Sequence, residues 1–486
     1  MKSLIRITLL SCILLATACD LKLQPISEIG EENFYKNTTE MYGAVVACYN
    51  GLQAPMINEW ALTELRSDNA RLYSLATASA PNLLLLSLDQ SKISSTNERI
   101  YEYWLDSYHN IARCNTVLKE ENLAVIENDS IRALFAGEAR FIRAHHYFNL
   151  VRLFGPVFIV DERLSATEAK KYDRKPIGDV YDFIVADLIF AEDNLPESYP
   201  ASEKGRATTW AAKSLLAKVY LTQGKIDTET KNLLHDVYYN SGHALVKPYG
   251  RIFDIDNELN DEIIFTVRYK SGGFGLGAPF GNYFGPLQSG SAVINYSGNG
   301  YNYPTTDLVQ AYSSADQRRD DVLALNYVND QGVTIARNYV TKFLSPVVLK
   351  EDGDKDWPIL RFADVILLYA EVINELEGAA AALPFVNEVR ERAGLPDVRD
   401  REVTNKHEMR MVIEKERRLE LAYENHRWFD LVRTNRVVEV MNTHYQNEEF
   451  YAEATGSGPL TQQTVLLPIP QKEIDINTFV SQNPGY

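Results

Sequence analysis

Arg140-Phe141-Ile142-Arg143-Ala144-His145-His146-Tyr147-Phe148-Asn149-Leu150-Val151-Arg152-Leu153-Phe154-Gly155 is the run on which the fold turns. Its helical patterning extends back to Ile131 and stops at Gly155-Pro156, a terminator of the expected kind. His145 and His146 are adjacent rather than one turn apart, so their rings point to different faces and read as structural rather than metal-ligating.

Outward from this helix the same 3.6-residue period recurs. Met41 to Leu52 is helical with a turn at Asn50-Gly51, and Arg99 to Leu118 carries one apolar stripe. Val180 to Leu195 and Thr208 to Leu221 follow, the latter with small residues that let helices approach closely. Residues 37–225 therefore read as helical hairpins of the tetratricopeptide kind, although no strict repeat of about 34 residues of that class is visible. Composition changes near residue 225. Residues 254–345 form a loop-rich insert with a short strand expected at Glu262 to Tyr269. Ser271 to Gly300 reads as a long glycine-rich loop bearing Phe274, Phe280, Tyr283, Phe284 and Tyr296, and long loops in compact proteins tend to be functional. Helices return at Ile359 to Leu376, Ala379 to Ala393 and Lys406 to Leu431, and an ordered extended tail closes the chain from Leu466. The fold class expected is mainly α, a tetratricopeptide-like hairpin scaffold with long irregular loops and minor β.

The N-terminus has the layout of a secretory signal: Lys2 and Arg6, a short apolar stretch from Leu9 to Leu15, then small residues Ala16-Thr17-Ala18. That stretch is well below the roughly 18–20 residues that span a bilayer. Cys19 directly after it resembles the lipobox of bacterial lipoproteins, with Ala16 where a Leu is usual, and several acyl chains are what stable anchoring needs. Residues 1–18 are thus the signal peptide and 19–36 a lipidated tether. The 486-residue chain carries a net charge of −17, and loss of Lys2 and Arg6 makes it −19. So acidic a chain does not suit nucleic acid, whose phosphates demand basic patches. Beyond the leader only Cys48 and Cys114 remain, which excludes a disulfide scaffold and leaves one bridge open.

Catalytic signatures are missing from the sequence. It holds no zinc-protease helix motif, no nucleophile elbow and no phosphate loop. Asp352-Gly353-Asp354-Lys355-Asp356 alternates carboxylates that could share a calcium ion, but it lacks the sixth-position Gly and twelfth-position Glu of an EF-hand and reads as a solvated acidic turn. Glu138, Glu371, Glu416, Glu420 and Glu424 sit in helical stretches beside arginines, a context of ion pairs rather than of an acid with a raised pKa. The reading is of a binding protein without a cofactor rather than an enzyme.

Six segments, in order, resemble the SusD/RagB family of surface lipoproteins: the run from Arg140 to Gly155; Gly205-Arg206-Ala207-Thr208; Leu360-Arg361-Phe362-Ala363-Asp364 through Glu371; Val386-Asn387-Glu388-Val389-Arg390 through Leu395; Glu416-Arg417-Arg418-Leu419-Glu420 through Arg433; and Leu467-Pro468-Ile469-Pro470 with the closing Gln482 to Tyr486. The resemblance implies a single SusD-like domain over residues 37–486, its C-terminal helices and tail in 357–486. It implies an outer-membrane lipoprotein facing the cell exterior that captures oligosaccharides, or in some relatives peptides, and passes them to a SusC-like TonB-dependent transporter. The arginine–carboxylate motifs read as fold-holding pairs. The stretch Trp60 to Tyr73 resembles a family segment that often lies near the ligand. Trp60 and Tyr73 would offer flat faces to a sugar ring, and Asp68, Asn69 and Arg71 directional hydrogen bonds. Tyr283 and Tyr296 would form the opposite wall.

Overall fold

The computed structural model describes residues 34–72, 80–162, 166–447 and 459–486. Cys19 and Tyr73 lie outside these, as does the tether up to residue 33. The N-terminal half is a succession of helices: α1 Thr38–Asn50, α2 Gln53–Leu62, α3 Ala80–Asp89, α4 Glu98–Leu118, α5 Asp129–Phe154, α6 Ile177–Asn194, α7 Thr209–Thr222 and α8 Thr228–Asn240. Side-chain caps mark their starts. Asn37, Asn97, Asn128, Thr208 and Asp227 each accept a hydrogen bond from a first-turn N–H of the helix that follows. Packing is sequential, α2 on α4, α4 on α5, α5 on α6, α6 on α7 and α7 on α8; α2, α3 and α8 add to the helices that the patterning suggested. The array continues through α10 (Phe362–Glu377), which packs on α8 and on α11 (Ala379–Arg392) and α12 (Lys406–Glu420).

α5 is buried on nearly every side from Phe135 to Phe154 and forms the axis of the core. His145 and His146 are both buried in it. His146 Nε2 is 2.8 Å from Asn110 Nδ2, and burial pushes its imidazole down to about 3. Gly155, at φ +74°, ends the helix; a Cβ there would stand 2.8 Å from Leu466 Cδ1. The C-terminal tail returns across this end. Leu467 N–H donates to Leu153 O at 2.7 Å, and Asn483 Nδ2 donates to Phe154 O and Leu467 O, both at 2.8 Å. Cys48 and Cys114 are buried free thiols. No helix among the described residues is long and apolar enough to cross a membrane.

Strands are few and short: β1 Ala70–Arg71, β2 Ile263–Val267, β3 Tyr303–Pro304, β4 Leu323–Val328, β5 Thr334–Val340 and β6 Trp357–Arg361. They pair antiparallel as β1–β3, β2–β6 and β4–β5. β2 is the strand anticipated in Glu262 to Tyr269. Its partner β6 corrects the expectation of a helix from Ile359: Trp357, Pro358, Leu360 and Arg361 pair with β2 before α10 begins at Phe362. The β4–β5 hairpin sits in what read as loop. The stretch Lys406 to Leu431 is also not one helix. α12 stops at Glu420, Tyr423 and Asn425 take left-handed φ of 67° and 65°, and a new helix, α13, runs over Arg427–Arg433 ahead of α14, Val437–Asn447.

The break lies on a buried ion cluster. Glu420 and Glu424 both turn onto the guanidinium of Arg361, the last residue of β6. Arg361 Nε and Nη2 donate to Glu424 Oε2 and Oε1 at 2.7 and 2.8 Å, and Nη2 also donates to Glu420 O at 3.0 Å. Its Nη1 reaches Glu420 Oε1 at 3.1 Å and Glu262, which precedes β2. Arg392 bridges Glu262 and Glu420, Arg318 binds Asp316, Glu416 and Glu420, and Lys342 donates to Glu424 Oε1 at 2.8 Å. All of these side chains are buried. A second network joins Arg417 to Asp364 and Asp430, and Arg433 to Asp430 and Glu371.

Paired buried charges are costly to break, because the orphaned partner stays desolvated. Arg361→Met is expected to lower the unfolding free energy by about 3–5 kcal/mol, whereas Arg410→Met, in a half-exposed pair with Glu375, should cost under about 1 kcal/mol; urea denaturation compares them. Burial pushes the Glu420 and Glu424 carboxyls up, but Arg361 with Arg392, and with Lys342, outweighs it and holds both below the ordinary carboxylate range. Their stabilisation is therefore complete above the unfolded-state value of about 4.3 and is lost as pH falls below it. The thermal midpoint should drop on acidification below about pH 4, and by less in Arg361→Met.

Candidate functional site

The described residues place the expected ligand residues in three different situations. Trp60 is fully buried, 0 % exposed, and its Nε1–H donates to Ile57 O at 2.8 Å. It cannot be a sugar platform, because the C-terminal half of α2 is enclosed on all sides, Ala61 and Leu62 included. Asp68 and Asn69 are likewise buried. Arg427 clamps the Asp68 carboxylate at 2.7 and 2.8 Å, and Arg418 approaches at 3.1 Å. Against the upward push of burial these two guanidiniums hold the carboxyl well below its usual range. Asn69 donates to Glu64 Oε1 at 2.9 Å and accepts from Arg418 Nε at 2.8 Å. The Asp68–Asn69 turn thus locks the N-terminal helices to α12 and α13. Arg71 is half-buried in β1, its guanidinium 5.2 Å above the Tyr303 ring. Tyr296 is exposed, at φ +67°, and its hydroxyl donates to Val348 O at 2.8 Å.

Tyr283 is the exception. It lies on the short helix α9, Phe280–Phe284, within the glycine-rich run, and is half-buried. Its ring is 5.7 Å from that of Tyr301, also half-buried, which the sequence reading did not single out. Both rings rest on Trp60. Tyr301 stacks on the indole at 5.8 Å and 14°, and Tyr283 lies 6.1 Å from it. Phe284 closes the base, edge-on to Trp60 at 5.3 Å. Trp60 is therefore the floor beneath the platform rather than the platform.

Backbone contacts fix this arrangement. Tyr301 N–H donates to Tyr283 O at 2.9 Å, Asn299 N–H to Asn282 O at 2.7 Å, and Gly300 N–H to Gly285 O at 2.9 Å. The two arms cross so closely at Gly285 and Gly298 that a Cβ on Gly298 would lie 2.0 Å from Gly285 C. Phe280 and Phe284 are in turn wedged against Phe343 and Trp357; Phe280 lies 4.5 Å from Trp357, and Phe343 stacks on Trp357 at 4.3 Å.

Charged and amide groups surround the two rings. Tyr301 O–H donates to Asn82 Oδ1 at 3.3 Å. Arg99 and Glu102, on the first turns of α4, are both tied to Asn58 of α2, at 2.8 and 3.1 Å. Glu351, at φ +60°, has its N–H donated to Asn282 Oδ1 at 2.9 Å. Burial, then the neighbouring Glu351 carboxylate, pushes the Tyr283 hydroxyl up to about 12. Burial likewise raises Tyr301, against the pull of Arg99. Both hydroxyls therefore stay protonated at neutral pH, able to donate and accept. Flat apolar faces ringed by a few fixed donors and acceptors can hold a polyhydroxylated ring, and nothing among these groups is arranged to activate a nucleophile.

The acidic turn is not solvated. Asp352 Oδ2 accepts from Gly272 and Gly273 N–H at 2.8 and 2.9 Å, Asp354 from Ser271 N–H at 2.9 Å, and Asp356 from Tyr269 N–H at 2.9 Å. These carboxylates pin the glycine-rich arm, and among the described residues no cluster of His, Cys, Asp or Glu is placed to hold a metal ion. Two concavities of about 490 and 370 Å³ flank α12 and share Glu414 and Arg436. Their Asp68, Arg427, Arg433 and Glu371 are already committed to one another or to neighbours, so the tyrosine pair is the better candidate.

Comparison with known proteins is consistent across the chain. The model of the SusD family matches residues 339–486, and that of a family described as starch-binding and associating with the outer membrane matches residues 31–221. A SusD-like protein of Formosa agariphila is 26% identical over 522 aligned positions, covering 99% of each chain. One from Bacteroides ovatus is 27% identical over 401 positions, 74% of this chain and 70% of that one. A solved laminarin-binding SusD-like protein superposes with a TM-score of 0.80 at 26% identity, over 93% of this chain and 100% of that one.

Proposed function

The chain belongs to the SusD family, and on that premise we propose that it is a non-enzymatic glycan-capturing protein of the outer membrane. It binds oligosaccharides on the Tyr283–Tyr301 pair and delivers them to a SusC-like TonB-dependent transporter, held at the cell exterior by a lipid on Cys19. The observation that carries this reading is the pair itself: two half-exposed phenol rings on a buried Trp60 floor, with Arg99, Glu102, Glu351 and Asn82 at their edges. A pyranose presents one face of C–H groups and an equator of hydroxyls. The rings take the first, and the charged and amide groups take the second. The laminarin-binding relative supports a glycan as the ligand class.

Pre-organisation is the second support. The rings are set by backbone hydrogen bonds and by the Gly285–Gly298 crossing before any ligand arrives, so little side-chain ordering remains to oppose binding. The arrangement does not ask for a moving lid within the chain.

Calorimetry against laminarin and other storage and cell-wall polysaccharides, beside short peptides, tests the reading. At least one glycan should bind and the peptides should not. Tyr283→Ala and Tyr301→Ala should each weaken that glycan by about 1–2 kcal/mol, roughly tenfold, with the fold intact by circular dichroism. Binding of peptides and of no glycan would overturn the proposal.

A further inference from the structure

Arg152, near the end of α5, is a half-buried cation without a counter-ion. Among the described residues it makes no ion pair. Its Nε–H donates to Phe148 O at 3.1 Å and its Nη2 to Asn149 Oδ1, which leaves Nη1 unspent. The guanidinium carbon lies 3.8 Å from the Phe148 ring centre and 3.5 Å from that of Phe429, so aromatic carbon covers its faces and its edge carries the free donor. Glu59 and Asp430 act on it through space. Glu59 is taken up by Tyr103 O–H at 3.2 Å, Asn149 Nδ2 at 3.1 Å and Asn425 Nδ2 at 3.4 Å, and Asp430 by Arg417 and Arg433. Burial accordingly pulls the guanidinium down to about 10 and pushes the Glu59 carboxyl up. A cation taken out of water without a partner is costly, and a bound anion offsets that cost.

Arg152 lines a slot of about 30 Å³ where α2, α5, α7, β6 and the turn at Asn425 meet. Two further donors on its walls are unspent. Trp357 is fully buried, and its Nε1–H has no partner. Lys218, an ammonium paired with Asp364 Oδ2 at 2.8 Å, also donates to His426 Nδ1 at 2.9 Å. Burial and then the Lys218 charge hold His426 down at about 3, so its ring is neutral and the one proton sits on Nε2. Nothing among the described residues meets that Nε2–H. Asn425 Oδ1 is an unmet acceptor on the same wall. A single water needs about 10–15 Å³ of such space, so the slot has room for one halide and a water and is too small for sulfate or phosphate. Arg152 and Ile359 on its wall are half-buried, which opens a way in from solvent.

We propose that this slot binds one small monovalent anion of halide size, chloride in the first instance, held by Arg152 Nη1, Trp357 Nε1–H and His426 Nε2–H, with a water beside it on Asn425 Oδ1. The anion ties α5 to β6 and to the turn that precedes α13. Through Trp357, β6 carries Phe280 and Phe284 beneath the tyrosine pair, so the bound anion braces the scaffold under that platform. The site stands whether or not the tyrosine pair takes a glycan.

Crystals of the mature protein soaked in sodium bromide test the site by anomalous scattering. A bromide peak in the slot, bounded by Arg152, Trp357 and His426, is the expected result. In solution the thermal midpoint should rise by about 1–3 °C when sodium chloride replaces sodium gluconate at equal ionic strength. Arg152→Met should abolish that rise, and Trp357→Phe, which keeps an aromatic ring but removes the donor, should remove most of it. Should Arg152→Met fail to fold, Trp357→Phe and the bromide map decide. A slot holding only water in the bromide-soaked crystal, a midpoint indifferent to chloride, or a rise that survives the substitutions unchanged would overturn the proposal. Acetate that raises the midpoint as chloride does and displaces bromide from the slot would also overturn it, since the site would then take a carboxylate rather than a halide.

Discussion

The guanidinium of Arg361 is the point through which the rest of the structure is referenced. It sits at the junction of β6 and α10, and it gathers Glu262 from the start of β2, Glu420 from the end of α12 and Glu424 from the turn beyond. Arg392, Arg318 and Lys342 complete the charge balance, so that no carboxylate in the cluster is buried alone. β6 also carries Trp357, whose ring holds Phe280, Phe284 and Phe343. Through Phe284 that stack reaches Trp60, and through Trp60 it sets Tyr283 and Tyr301. An ion cluster in the scaffold and the proposed binding surface are thus two ends of one packed path.

This path explains what could and could not be read from the sequence. Helices α1, α4, α5, α6 and α7 were legible because each carries local signals in its apolar spacing or its ends; Asn128 to Gly155 shows a cap, an apolar run and a stop together. The pairing of Arg361, Glu420, Arg417 and Asp430 was legible because fixed arginine–carboxylate patterns on helices rarely serve anything else. The errors sit where tertiary contacts overrule local pattern. Residues 359–361 look helical until β2 is present to pair with them. Residues 421–426 leave the helix at Tyr423 and Asn425, both left-handed, and the turn docks on Arg361 through Glu424.

The proposed binding surface was only partly legible, for a different reason. It is assembled from Asn82, Arg99, Glu102, Tyr283, Tyr301 and Glu351, drawn from four distant parts of the chain, and no spacing in the sequence links them. Aromatic identity alone did not separate Trp60, which is the floor, from Tyr301, which is the face. Tyr301 stands at the close of the glycine-rich run, within Gly300-Tyr301-Asn302-Tyr303, and that density of tyrosine was the one available hint. Asp68 and Asn69 had the chemistry of ligand contacts but belong to the lock between the chain's two halves.

The most direct measurement is a crystal structure of the protein with the tightest-binding oligosaccharide from the calorimetric panel. The account predicts a sugar ring lying flat on Tyr283 or Tyr301, with hydroxyls hydrogen-bonded to Arg99, Glu102 or Glu351 and the Trp60 floor unmoved. A sugar seated instead in the concavity beside Asp68 and Arg427, with both tyrosine faces bare, would contradict it.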